Sequence, residues 1–282
     1  MIECYGITQD PDTKDYMMVL MYCENGNLRN YLNQSIDYET KIRNLSEFTR
    51  GLLDIHNAGK IHKDLHSGNV LFFNSNNAGI GLTISDLGMC QPANIIKDNK
   101  KGVYGVLPYV APEVLRGSQY TEAADIDSFG IVMNEFMSEE IPYNDISHDQ
   151  MLAIGICNGF RPKIFEDTPK LIADLITKCW DSKPEKRPTA KELDQILDKY
   201  NDEIYYNNTN SIIYSQIKEC EKIRESKLRN RPNEDKSKSI QTHSQAIYTS
   251  RLLNFKDLPE PVNSSEILVN SLNSLDLSSY LT

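Results

Sequence analysis

The chain has 282 residues, with 30 lysines and arginines against 40 aspartates and glutamates and a net charge of −10 at pH 7. That balance argues against nucleic acid as a partner, because polyanion binding needs a basic surface. Hydrophobic content is 39%, below the soluble average of roughly 45–50%, and no apolar run reaches the roughly 18–20 residues that span a bilayer.

The six cysteines (Cys4, Cys23, Cys90, Cys157, Cys179 and Cys220) are scattered without a C-x-x-C pair. They read as reduced thiols of a cytoplasmic protein. The opening Met1-Ile2-Glu3-Cys4-Tyr5-Gly6 has neither the basic nor the apolar region of a signal peptide.

Residues 2–8 and 16–23 are predicted strands, joined by a link whose Asp10-Pro11-Asp12 is turn chemistry. Met17-Met18-Val19-Leu20-Met21-Tyr22 is almost continuously apolar, which predicts a strand buried on both faces. It leads into Cys23-Glu24-Asn25-Gly26-Asn27-Leu28, which taken alone reads as a hairpin strand ending in a glycine turn. Residues 39–56 are a predicted helix with Ile42, Leu45, Phe48, Leu52 and Ile55 on one face, and Gly59 suits the left-handed residue that closes it.

That helix delivers the chain into Ile61-His62-Lys63-Asp64-Leu65-His66-Ser67-Gly68-Asn69-Val70-Leu71. His56, His62 and His66 fit helix-end and loop roles better than a metal cluster. Val70–Phe73 and Leu82–Ile84 are short predicted strands, followed by Ser85-Asp86-Leu87-Gly88 and then Tyr109-Val110-Ala111-Pro112-Glu113.

Residues 125–138 begin Asp125-Ile126-Asp127-Ser128-Phe129-Gly130 and are apolar on most sides, as a buried core helix is. Asp125 there suits an N-terminal cap. Two further helices carry Met151, Ile154 and Cys157, then Leu171, Ile172, Leu175, Ile176 and Cys179, running into Trp180 and Arg187-Pro188. Thr189 and Glu192 form a capping box that opens a last helix with Leu193, Ile196, Leu197 and Tyr200 inward. Beyond residue 200, Asn, Ser, Lys and Glu dominate. Residues 211–228 suit one amphipathic helix with Ile213, Ile217, Cys220 and Ile223 on a stripe. Residues 229–282 are expected to be mostly disordered. One denser segment there, Ala246 to Phe255, reads equally as a docking motif, a back-fold onto the rest of the chain, or a leftover apolar patch.

In this order the motifs resemble those of the eukaryotic protein kinase family. His62-Lys63-Asp64-Leu65 with Asn69 is similar to H-R-D-L-x-x-x-N, with Lys63 in the Arg place. Asp86-Leu87-Gly88 resembles D-F-G, and Ala111-Pro112-Glu113 matches A-P-E. The stretch from Asp125 resembles D-x-W-S-F-G. The tyrosine-kinase-like branch of Ser/Thr kinases is the most similar subgroup, over roughly residues 1–200.

The resemblance implies an α+β, protein-kinase-like fold: a mainly helical C-lobe with a two-stranded remnant of the N-lobe sheet. It divides the chain into an N-lobe remnant (1–22), a C-lobe (23–201), a helical extension (202–228) and the tail (229–282). It implies ATP- and Mg²⁺-dependent phosphoryl transfer to protein hydroxyls, Ser/Thr rather than Tyr. Asp64 would accept the hydroxyl proton, Asn69 and Asp86 would hold metal and nucleotide, and Lys63 and His66 would assist. Leu20 would be the gatekeeper, main-chain groups of Met21 and Cys23 would meet the adenine, and Leu71 would lie beneath it. Asp125 would accept main-chain N–H groups of the catalytic loop, and Glu113 and Arg187 would form a structural pair.

The chain departs from the family pattern in places. Residues 86–113 contain no Ser or Thr, only Tyr104 and Tyr109 as hydroxylated side chains. Tyr104 is therefore the expected phosphorylation site and Tyr109 is expected to pack beside A-P-E. Lys63 lacks the bidentate fork of Arg. Val106 stands in a Thr place, and His66 in the place of a Lys that meets the γ-phosphate. No Gly-rich loop or V-A-I-K equivalent occurs, and the resemblance places both ahead of residue 1. The chain is thus expected to be N-terminally truncated and impaired. The alternative expectation is a pseudokinase-like scaffold or decoy. The expected partners are a protein substrate or a partner kinase.

Overall fold

Residues 1–32, 36–75, 79–93, 102–230 and 242–264 are described by a computed structural model. Strands β1 (Cys4–Gln9) and β2 (Tyr16–Leu20) form an antiparallel hairpin. Asp10 closes it by accepting the Asp12 and Thr13 N–H groups, both at 2.8 Å. Every residue of both strands is exposed. This corrects the expectation that Met17–Tyr22 is buried on both faces. A hydrophobic run records a preference, and burial needs a second layer; among the described residues none covers this hairpin.

A short α1 (Leu28–Tyr31) follows, capped by Asn27, and then α2 (Tyr38–Asn57), capped by the Asp37 carboxylate. The predicted face of α2 is its buried face: Ile42, Leu45, Phe48, Leu52 and Ile55. Gly59 has φ 65°, the left-handed geometry that lets the chain reverse out of the helix. Next come β3 (Lys60–Ile61), β4 (Val70–Ser75), β5 (Gly79–Ile84), β6 (Gln91–Pro92) and β7 (Val103–Gly105). β4 pairs with β5 and β3 with β6, both antiparallel.

The helices α3 (Pro112–Leu115), α4 (Glu122–Ser138), α5 (Gln150–Cys157), α6 (Lys170–Cys179), α7 (Ala190–Tyr205) and α8 (Ile212–Asn230) complete the lobe. α4 is its axis, with Ile126, Phe129, Val132, Met133 and Phe136 all inside the main core. Its cap is Thr121, one turn earlier than the sequence pattern marks, so Asp125 is released for another role. α7 opens with the predicted capping box. α8 lays Ile213, Ile217 and Cys220 on the same core. The architecture is therefore α+β, a helical lobe carrying small two-stranded sheets.

The expectation of a mostly disordered tail needs correction over residues 242–264. They lie across the lobe, where β8 (Arg251–Leu253) pairs antiparallel with β7. Leu253 is buried in a second core cluster with Val103, Leu107, Val110 and Leu152. The polar composition of the tail as a whole hid these few apolar anchors. Residues 231–241 and 265–282 lie outside the described residues. Among the described residues no helix is long and apolar enough to cross a membrane. All six cysteines are free thiols.

Candidate active site

The site is built outward from α4. A carboxylate buried in the core must be hydrogen-bonded to remain charged, and Asp125 finds its donors in the loop after β3. Its Oδ2 accepts the His62 N–H at 2.7 Å and its Oδ1 the Lys63 N–H at 2.9 Å. His56 at the end of α2 places Nε2 3.0 Å from Oδ2. The core helix thus grips the loop by its main chain. Lys63 is held at φ 72°, a left-handed conformation uncommon for a non-glycine residue and typical of functional loops.

The His62 ring continues the linkage. Its Nδ1 accepts the Asp64 N–H at 3.3 Å, so the proton sits on Nε2, which donates to the Ser85 carbonyl at 3.0 Å. The β4–β5 register pairs Val70 with Ile84, and the Ser85 N–H and hydroxyl both reach the Asn69 carbonyl, at 2.9 and 3.0 Å. Asn69 and Asp86 are thereby set at the same end of one hairpin. Asp86 also takes a left-handed backbone, φ 57°, and its carboxylate is exposed.

The Asn69 side-chain N–H₂ donates to the Asp64 carbonyl at 2.9 Å, which leaves its amide oxygen as an acceptor. An amide oxygen and a carboxylate are hard donors. Mg²⁺ is held by just such sets of one or two protein oxygens, with water and phosphate oxygens filling its shell. The residues therefore fit Mg²⁺. Among the described residues no cluster of three or more His, Cys, Asp or Glu forms a protein-only cage.

Asp64 is buried at the centre of the loop. Burial pushes its carboxyl upward, but hydrogen bonds from His66 and Ser250 and the electrostatic pull of the His66 and His62 rings outweigh that and hold it below the ordinary value. It is an ionised carboxylate, able to accept a proton. His66 uses Nδ1 to accept the Gly68 N–H at 3.0 Å and turns Nε2 toward Asp64 at 3.7 Å. Both ring nitrogens thus face protein groups, where the sequence pattern suggested a phosphate contact.

Lys63 places its ammonium 3.2 Å from the Gln91 amide oxygen and over the Tyr120 ring at 5.0 Å. A cavity of about 320 Å³ lies between it and the exposed Tyr104. Tyr109, by contrast, is buried, as the sequence pattern suggested. Its hydroxyl donates to Glu135 at 2.6 Å and meets Ser67 at 3.0 Å.

Past the end of β2, the Met21 N–H is committed to the Glu3 carbonyl at 2.9 Å and the Cys23 carbonyl to the Gly26 N–H at 3.1 Å. The Met21 carbonyl, which meets the Cys23 thiol at 4.0 Å, and the Cys23 N–H are an acceptor and a donor two residues apart. Leu71 is drawn to this connection by a β-bridge with Asn27. Leu20 is exposed at the end of β2.

Below the loop, the Arg187 guanidinium is fully buried and holds both Glu113 oxygens at 2.8 Å. The sequence reading missed two features. One is the Arg29–Ser67–Tyr109–Glu135 network, whose members are too far apart in sequence to show a pattern. The other is Ser250, whose hydroxyl donates to Asp64 Oδ2 at 2.5 Å. Its one sequence signal was the unassigned apolar density of Ala246–Phe255.

Comparison with known proteins agrees with this geometry. Residues 1–197 match the sequence model of the protein tyrosine and serine/threonine kinase family. The chain is 30% identical over 197 residues to the serine/threonine/tyrosine-protein kinase HT1 of Arabidopsis thaliana, an alignment covering 66% of this chain and 48% of the relative. It is 32% identical over 211 residues to the probable serine/threonine-protein kinase gdt2 of Dictyostelium discoideum, covering 71% of this chain and 12% of the relative. It is 32% identical over 196 residues to the putative mitogen-activated protein kinase kinase kinase 7-like protein of Drosophila melanogaster, covering 65% and 48%. The chain thus spans about half, or much less, of the length of these relatives.

Proposed function

This chain belongs to the protein tyrosine and serine/threonine kinase family, and on that premise we propose that it carries an ATP- and Mg²⁺-dependent site for phosphoryl transfer to serine or threonine hydroxyls of proteins. The observation that carries the reading is the convergence of Asp64, Asn69 and Asp86. The Asn69 amide is tied to the Asp64 main chain, and Asn69 and Asp86 lie at the same end of the β4–β5 hairpin. Asp64, ionised and aimed by a loop that α4 anchors, orients an acceptor hydroxyl and takes its proton. Asn69 and Asp86 would hold Mg²⁺, which neutralises phosphate charge when bound. The Met21 carbonyl and Cys23 N–H would meet the adenine edge above Leu71. Lys63 steadies the segment through Gln91, and His66 steadies the Asp64 carboxylate. Positioning and charge neutralisation supply most of such catalysis.

The relatives bearing serine/threonine names favour that acceptor class. The test is phosphoamino-acid analysis after incubating the full chain, Mg-ATP and casein. Phosphoserine or phosphothreonine is expected. Phosphotyrosine alone would overturn the acceptor class, and no label would overturn the enzyme reading.

One observation favours a second reading, a scaffold or decoy that binds another kinase or its substrate. The β1–β2 hairpin exposes Ile7, Tyr16 and Met18 on one face, an apolar surface suited to a protein partner. A chain that captures such a partner but transfers no phosphate would be the outcome that selects it.

A further inference from the structure

The segment 242–264 approaches the loop as a substrate peptide would. It is pinned upstream where the His243 N–H reaches the Asn144 carbonyl at 2.8 Å and the Tyr248 hydroxyl the Pro142 carbonyl at 2.8 Å. Arg29 lies 4.2 Å over the Tyr248 ring. His148 is buried and accepts the Ile247 N–H at 3.1 Å. Downstream, Arg116 clasps Glu260 with two hydrogen bonds, and the Val262 N–H reaches the Cys157 carbonyl at 3.0 Å.

Between these anchors Arg251–Leu253 are extended as β8. Gly105 pairs with Arg251, Tyr104 with Leu252 and Val103 with Leu253. This ladder runs along the segment between Asp86 and Glu113, and it fixes which residue meets Asp64. A methyl group at Gly105 would sit 3.8 Å from the Asp64 carboxylate, so the paired end of β7 lies against that side chain. The residue just before Arg251 is Ser250, and its hydroxyl donates to Asp64 Oδ2 at 2.5 Å. Thr249 is exposed. An apolar pocket takes Leu253, with Phe255 and Leu258 packed at its edge.

We propose that Ser250 is an intramolecular phosphoacceptor, and that residues 243–262 are the chain's own substrate peptide seated in the acceptor groove. This deepens the proposed function and rests on it. The step balances as follows. Ser250 Oγ attacks the γ-phosphorus of a bound nucleoside triphosphate, and an O–P bond forms as the bond from that phosphorus to the β,γ-bridging oxygen breaks. The electron pair leaves with the nucleoside diphosphate, and the hydroxyl proton passes to Asp64 Oδ2. The product carries a charge of about −1.5 to −2 next to the Asp64 carboxylate, so repulsion drives the strap off the loop. The groove then opens to other proteins. The seated residues also describe the acceptor preferred in trans: a serine followed by a basic residue and two aliphatic ones, with an aromatic residue two positions before.

The test incubates the full chain with Mg-ATP and casein and maps phosphate by tandem mass spectrometry. Phosphate is expected on Ser250 and not Thr249, with a rate constant unchanged on dilution, as an intramolecular step requires. Asp64→Asn is expected to slow it by about 100-fold or more. Because that variant alters a buried group, Ser250→Asp supplies a second readout. Amide hydrogen exchange at Arg251–Leu253 and Val103–Gly105 is expected to rise in it. An unmodified Ser250, or a rate constant that rises with protein concentration, overturns the inference. If casein is labelled while Ser250 is not, the proposed function stands without it; if neither is labelled, both fall.

Discussion

Asp125 holds two successive main-chain N–H groups, those of His62 and Lys63, one on each carboxylate oxygen. A core helix thereby sets the backbone of the loop that carries Asp64, and holds Lys63 in its left-handed conformation through the main chain. Asp125→Ala strands these donors and the facing His56 in the interior. Each hydrogen bond to a charged group contributes about 1.5–3 kcal/mol, so a loss of about 3 kcal/mol or more is expected in urea unfolding. Asp125→Asn, which keeps one acceptor, is expected to lose less stability yet still lower transfer rate, because the loop loses one of its two ties.

Arg187 and Glu113 form the second fixed point. The guanidinium is fully buried and also lies 3.7 Å from Asp127. Glu113→Ala removes the bidentate partner while the charge stays inside, which typically costs about 3–5 kcal/mol. Arg187→Lys is expected to be nearly as damaging, since an ammonium cannot reproduce the two parallel bonds. Thermal melts of both variants check this, and a melt unchanged from wild type in either would contradict it.

Glu135 predicts a pH dependence. Burial pushes its carboxyl up to about 7, with the Tyr109 hydrogen bond and Arg29 opposing. The unfolded chain releases this proton near 4.5, so between those values the folded state holds a proton that the unfolded state has lost. Stability from this group is complete below pH 4.5 and declines as pH rises through 7. A shift of this size corresponds to about 3 kcal/mol. Glu135→Gln is expected to flatten the fall in urea midpoint between pH 5 and pH 8 relative to wild type. Parallel curves for the two proteins would contradict the assignment.

Gly130 tests the packing of α4. A Cβ there would lie 2.7 Å from the Cys179 Cβ and 2.8 Å from the Trp180 ring. Gly130→Ala is therefore expected to cost about 1–3 kcal/mol by overpacking, although alanine is the better helix former. A melt at or above the wild-type temperature would show that α6 can move away.

Local patterns carried what was legible in the sequence. The α2 stripe, the Thr189–Glu192 capping box and the all-round apolarity of α4 each follow from residues within a few turns of one another. The order of short motifs was enough to identify the lobe. Pairings across long separations were legible only where the family resemblance supplied them, as for Asp125 with the loop and Glu113 with Arg187. Nothing near Glu135 announces Tyr109 and Arg29, and nothing near Ser250 announces Asp64, 186 positions away. The exposure of β2 was illegible for a different reason: apolar residues state what they would bury against if it were there, and Met17–Leu20 meet no second layer among the described residues. His66 shows the limit of reading a position by its motif, because its Nδ1 closes the turn onto Gly68 and its Nε2 faces Asp64.

The measurement that bears most directly on the proposed phosphoryl-transfer site compares initial rates of phosphate transfer from Mg-ATP to casein for the full chain, Asp64→Asn and Asp86→Asn, each verified as folded by thermal melting. The account predicts measurable transfer by the wild-type chain and a loss of about 100-fold or more in Asp64→Asn. It predicts that Asp86→Asn also loses transfer and shifts the Mg²⁺ dependence to higher concentration. Equal rates for the three folded proteins, or none for any, would contradict it.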